Sequence, residues 1–161
     1  MTESMEAMVV GPEDGRTVWF TGNRMTIKAT GAQTGGAYGL IEALVAPGSS
    51  PPLHVHHREE EAFWILEGRV RVRCGDEELT IGPGSFIVLP RDVPHSFLVE
   101  SDTPARWLNL LTPAGCEEFF VAAGRPAEGP GLPPPTEPDI PTLTRVGTEF
   151  GVDVVGPPMR R

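Results

Sequence analysis

The chain has 161 residues, 22 acidic against 13 basic, for a formal net charge of -9. That length accommodates one domain with a substantial core and argues against a second independent one, while the acidic excess works against attraction to nucleic acid or to an anionic membrane surface. No apolar run approaches the roughly 20 residues needed to span a bilayer, the polar, acidic opening Met1–Met8 is unlike a signal peptide, and two cysteines, Cys74 and Cys116, are too few for a disulfide framework, so a cytoplasmic chain with two free thiols is expected.

Residues 1–15 are expected to form a flexible leader ending in the turn-rich Gly11-Pro12-Glu13-Asp14-Gly15. From Arg16 to Thr112, short β-prone runs alternate with Gly, Pro or Asp. They are Thr17–Thr21, Arg24–Thr30, Tyr38–Ala46, Leu53–His57, Glu61–Glu67, Arg69–Cys74, Glu77–Ile81, Ser85–Leu89, Pro94–Glu100 and Ala105–Leu111. Strands this short, spaced this regularly, predict an all-β sandwich or barrel. A helix is expected over 112–124, with Thr112 as cap, Pro113 at the first helical position, Glu117 and Glu118 in the first turn and Gly124 past the end. It contains Cys116, and its Phe119 and Phe120 are expected to dock on the barrel. Between Pro126 and Pro141, seven of sixteen residues are Pro and two are Gly, which predicts an extended connector. A second short helix fits between Asp139 and Gly151, with Ile140, Leu143, Val146 and Phe150 on one face, followed by an edge strand over Val152–Val155. The expected organisation is a leader over 1–15, a barrel domain over 16–125 and a Pro-rich C-terminal extension over 126–161 that packs on the barrel.

The chemistry concentrates at His54-Val55-His56, followed by Glu61 and then His95. In a strand, residues i and i+2 share a face, so His54 and His56 point the same way while Val55 and His57 point the other. Three imidazoles and a carboxylate can then converge on one metal ion. With nitrogen and hard oxygen ligands and no thiolate, the set suits a divalent first-row transition metal, and iron, manganese, nickel, cobalt and zinc all remain open. His57 is expected on the surface or behind the ligands, and Glu59 and Glu60 in a solvated acidic turn. Phe63, Ile65, Phe97, Val99, Trp107 and Asn109 lie on faces that either line a pocket or simply fill the barrel core. Trp19 and Met25 are further wall candidates, and the single tyrosine, Tyr38, either orients a ligand or is a partly exposed strand residue.

Residues 48–68 read G-x(5)-H-x-H-x(4)-E-x(6)-G, from Gly48 through His54, His56 and Glu61 to Gly68; after a gap of fifteen residues, Gly84 opens G-x(5)-P-x-D-x(2)-H-x(3)-V, through Pro90, Asp92 and His95 to Val99. These two patterns resemble the paired motifs of the cupin superfamily, over about residues 38–112. Asp92 stands where the family has Gly, and Val99 where it has Asn. Asp tolerates the positive φ that a turn glycine supplies, so that turn is expected to survive; Val99 is expected to make its end of the pocket more apolar. The resemblance implies a double-stranded β-helix (cupin jelly-roll) barrel with His54, His56, Glu61 and His95 as metal ligands.

Within that superfamily, HVHHREEEAFWILEG, the CEEFF segment and the tail over 151–158 are most similar to small single-domain proteins of the quercetin dioxygenase type. This implies a metal-dependent dioxygenase acting on a small aromatic or enolisable substrate, with dioxygen as second substrate. Glu61 is then either a ligand throughout or the general base that accepts a substrate hydroxyl proton. A metal-dependent polyketide cyclase or isomerase, and a non-catalytic small-molecule-binding protein, are the alternatives. A homodimer is expected from exposed edge strands.

Overall fold

A computed structural model describes residues 6–161, so the first five residues of the expected leader lie outside the described residues. The strands are β1 (Arg16–Phe20), β2 (Asn23–Ala29), β3 (Gly39–Val45), β4 (Pro52–His56), β5 (Glu60–Glu67), β6 (Val70–Cys74), β7 (Glu77–Ile81), β8 (Phe86–Leu89), β9 (His95–Val99), β10 (Ala105–Thr112), β11 (Arg125–Pro126) and β12 (Val152–Pro158). Helices are α1 (Gly31–Thr34), α2 (Glu117–Ala123) and α3 (Ile140–Glu149). The fold is all-β, two antiparallel sheets face to face, in the orders β11-β1-β2-β3-β10-β5-β8 and β12-β4-β9-β6-β7. The strands expected from turn spacing form within a residue or two of their expected ends. Among the described residues no helix is long and apolar enough to cross a membrane.

Alternation decides which side chains face inward. β3 and β10 bury every second residue, and their neighbours follow suit, so Ile41, Ala43, Val45, Phe63, Ile65, Val70, Val72, Val99, Trp107 and Leu111 form one continuous core between the sheets. Register then sets what meets across strands. On the inner face Leu111 pairs with Glu61, Asn109 with Phe63 and Trp107 with Ile65, and in the other sheet His54 pairs with His95.

The helix expected over 112–124 is shorter at its start. Thr112 remains in β10, paired with Glu60, and Gly115 takes φ 143°, so helical geometry begins at Cys116, the N-cap, and Glu117. The buried Glu117 carboxylate anchors this entry: it accepts from Gly31 N at 2.8 Å and Gly115 N at 2.6 Å. The one-turn α1 was not expected from the sequence; a reciprocal capping box between Thr30 and Gln33 closes it. The connector over 127–138 has no regular element. Asp139 caps α3 by accepting from Thr142 N at 3.0 Å. β12 pairs with β4, Val152 opposite His56 and Val154 opposite His54. Of the apolar face expected on α3, Leu143 and Val146 are buried whereas Ile140, at the first turn, is exposed.

Candidate metal centre

β4 presents His54 and His56 on one face, β9 places His95 across from His54, and β5 brings Glu61 to the same end of the barrel. The turn before β9 holds the last of these. Asp92 adopts φ 66°, the conformation anticipated for it, and its N–H donates to His56 O at 2.9 Å, so the two motifs are tied to each other through the backbone.

Ligand atoms of His54, His56, Glu61 and His95 all lie within 4.8 Å of one another. Glu61 Oε1 is 3.1 Å from His95 Nε2 and 3.8 Å from His56 Nε2. The imidazoles crowd together, His54 and His95 at 4.5 Å between ring centroids and His56 stacked on His95 at 5.1 Å. Each ring turns its Nδ1 outward. His54 Nδ1 donates to Pro52 O at 2.7 Å, His95 Nδ1 lies 3.4 Å from Val93 O, and His56 Nδ1 lies 3.6 Å from the Cys116 thiol. The Pro52 carbonyl holds His54 in the tautomer that leaves its Nε2 for the centre, and His56 and His95 both turn Nε2 toward Glu61.

Electrostatics put His54, His56 and Glu61 in ligand form. Burial, helped by the neighbouring His95 and His56, drives His54 down to about 3, and burial also lowers His56. Burial alone would raise Glu61, but His56 and the hydrogen bond from His95 outweigh it and hold the carboxyl at about 2. Neutral imidazoles at His54 and His56 beside an ionised Glu61 are the protonation states a metal ion requires. His57 faces away, as strand parity demands: it is half exposed and bridges Asp92 and Asp153 through its two ring nitrogens at 2.7 and 2.9 Å.

Glu59 corrects one expectation. It was expected in a solvated turn with Glu60, yet only Glu60 is exposed; Glu59 is buried at 3% exposure. The entry to α2 folds over it, so Glu59, His56 and Cys116 bring ligand-type atoms within 4.8 Å of one another behind the main cluster. Burial lifts the Glu59 carboxyl to about 7 and pushes the Cys116 thiol well above its usual range.

The cluster opens onto a cavity of about 90 Å³ for a water-sized sphere, several times what one water molecule needs. Phe63, Phe97, Trp107 and Asn109 line it, as does Met25. Ile65, Val99 and Tyr38 do not. Ile65 and Val99 have the expected inward parity but lie one strand repeat deeper, fully buried, beyond a plug in which Phe63, Phe97 and Trp107 pack ring to ring at 4.9 to 6.0 Å. Tyr38, outside the strands, is 40% exposed, and Trp19 lies under the connector, donating to Gly131 O at 3.0 Å. Part of the remaining wall comes from the C-terminal third of the chain and was missed from the sequence: Phe119 and Phe120 of α2, Leu143 of α3, Val152 and Val154 of β12. Alternating Val152 and Val154, and the buried stripe of α3, were the signals that could have found it.

Residues 41–111, the stretch that carries the whole cluster, match the family model described as a cupin domain. Quercetin 2,3-dioxygenase of Bacillus subtilis is 28% identical over 110 residues, 68% of this chain and 32% of that protein. The tetracenomycin polyketide synthase protein TcmJ of Streptomyces glaucescens is 29% identical over 112 residues, covering 69% of this chain and 73% of that protein. Against the first three curated relatives, the chain spans only 32%, 55% and 51% of their lengths. Among solved structures, KdgF from a Halomonas species superposes with a TM-score of 0.61 at 16% identity, covering 70% of this chain and 98% of that one, a likeness of fold.

Proposed function

We propose that this cupin is a metal-dependent dioxygenase acting on a small aromatic or enolisable substrate. The observation that carries the proposal is the His54, His56, Glu61 and His95 cluster, buried except for the half-buried His54, opening directly onto an apolar, aromatic-walled cavity. The donor set fits a divalent first-row ion: three imidazoles presenting Nε2, one anionic carboxylate, no thiolate. Such an ion, whether iron, manganese, nickel, cobalt or zinc, supplies Lewis acidity toward a substrate oxygen. The chain's own contribution is orientation and proton handling. Phe63, Phe97 and Trp107 exclude water from the inner end and offer flat surfaces to a ring. Glu61, held by His95 and Asn109, is the only carboxylate of the cluster and is placed to accept a proton from a substrate hydroxyl; at about 2 it does so only from a strongly acidified one.

Similarity to quercetin 2,3-dioxygenase supports the oxygen-dependent chemistry. A second proposal, a metal-dependent polyketide cyclase or isomerase, draws on TcmJ, of which the chain spans 73%. An oxygen-electrode screen of flavonols, diketones and catechols with metal-loaded protein separates them. Oxygen uptake supports the dioxygenase, turnover without uptake supports the cyclase or isomerase, and binding without turnover points to a small-molecule-binding cupin. We also propose a homodimer, supported by the edge position of β8 and the exposed Trp64, Phe86 and Val88 on the outer face of β5 and β8.

A further inference from the structure

Polar atoms of the residues that line the cavity carry information about what fills it. Asn23 is fully engaged, with Oδ1 accepting from Ala46 N at 2.9 Å and Nδ2 donating to Ser49 Oγ at 3.0 Å. Two other wall residues are not. Trp107 and Asn109, two positions apart on the inner face of β10, are 1% and 5% exposed, and Trp107 Nε1 and Asn109 Oδ1 have no hydrogen-bond partner among the described residues. The orientation of the Asn109 amide follows from its other end, since Nδ2 donates to the Glu61 carboxylate at 3.1 Å and the reverse would set oxygen against oxygen. A buried donor and a buried acceptor left unpaired are costly, and native interiors rarely keep them without a purpose. Both residues line the cavity beside the cluster, and no Lys or Arg does so among the described residues.

We propose that Trp107 and Asn109 are the recognition pair of the substrate site, which takes a neutral, planar aromatic or enolic molecule carrying one carbonyl-type acceptor for Trp107 Nε1 and one hydroxyl or N–H donor for Asn109 Oδ1. It rests on the proposal that this cavity is the substrate site. The aromatic wall supplies affinity for a flat ring, while the absence of a lining Lys or Arg leaves a carboxylate on the far side of that ring from the metal cluster without a partner. Substrate identity is then written as a donor and an acceptor on one ring system.

The test is calorimetric binding to the protein as purified, with ethylbenzene, acetophenone, the three hydroxyacetophenone isomers and 4-acetylbenzoate as probes. Acetophenone is expected to bind about 3- to 10-fold tighter than ethylbenzene, and at least one hydroxyacetophenone a further 3- to 10-fold tighter, each step being one hydrogen bond. Trp107→Phe should erase the first step and keep the second; Asn109→Leu should erase the second and keep the first. 4-Acetylbenzoate should bind at least about 10-fold more weakly than acetophenone. Equal loss for all probes in both variants would mark a merely structural role and overturn the proposal, as would wild-type protein that does not distinguish the neutral probes, or one that prefers 4-acetylbenzoate. Because Asn109 also holds Glu61, metal content is matched across wild type and variants by plasma mass spectrometry before titration, so a failure of oxygen chemistry leaves this result standing, and a failure here leaves the metal and oxygen measurements untouched.

Discussion

Asn109 on β10 donates to Glu61 on β5 through a 3.1 Å hydrogen bond from Nδ2 to Oε2, while the other Glu61 oxygen lies 3.1 Å from His95 Nε2. Both carboxylate oxygens are therefore held before any substrate arrives, which suits a group that must ligate or move a proton at a fixed place. Glu61→Gln keeps the size and one oxygen but removes the charge and the basicity. The expected outcome is substantial metal retained by the three histidines, with turnover lowered by roughly 10²- to 10⁴-fold, the usual worth of a positioned base. Full metal content with near-wild-type oxygen uptake would remove the base role from Glu61.

His57 tests the strand parity behind the site. Its ring bridges Asp92 and Asp153 outside the barrel, and exposed pairs of this kind contribute little. His57→Ala should leave metal content per chain unchanged, measured by plasma mass spectrometry. A large loss would mean that His57 belongs among the ligands.

Glu117 anchors α2, and with it Phe119 and Phe120 on the cavity wall. Its buried carboxylate accepts two backbone N–H groups, from Gly31 and Gly115. Glu117→Ala leaves both unpaired and is expected to cost roughly 2–4 kcal/mol in urea unfolding, from hydrogen bonds to a charged group. A change under about 0.5 kcal/mol, the usual limit of an ordinary surface substitution, would show that α2 is held by apolar packing alone.

The homodimer is checked by light scattering at micromolar concentration, where twice the chain mass is expected. Trp64→Glu together with Phe86→Glu should shift the population to monomer without loss of fold, because like charges then face each other across an apolar patch. A wild-type monomer would refute the assembly.

Much of the site was legible because strand parity is a local property. Alternation puts His54 and His56, at i and i+2, on one face, and the resemblance to the paired cupin motifs added His95 and the positive φ of Asp92, which stands where the motif has Gly and is a residue that tolerates that conformation. What escaped depends on distant segments. Glu59 has the sequence of a solvated turn, and only the arrival of α2 buries it. Ile65 and Val99 have the right parity but the wrong depth, which is set by how Phe63, Phe97 and Trp107 fill the barrel. The wall made by Leu143, Val152 and Val154 comes from a segment separated from the barrel motifs by a Pro-rich connector, whose path no local pattern specifies.

The central claim is that His54, His56, Glu61 and His95 hold one metal ion. Plasma mass spectrometry of untagged wild type, His56→Ala and His95→Ala tests it most directly. About one divalent first-row metal per chain is expected in wild type, with both variants well below it and melting at lower temperature, because an ion bound only by the folded site adds its binding free energy to folding. Equal metal content in all three proteins, or none in wild type after incubation with each candidate metal, would contradict the account.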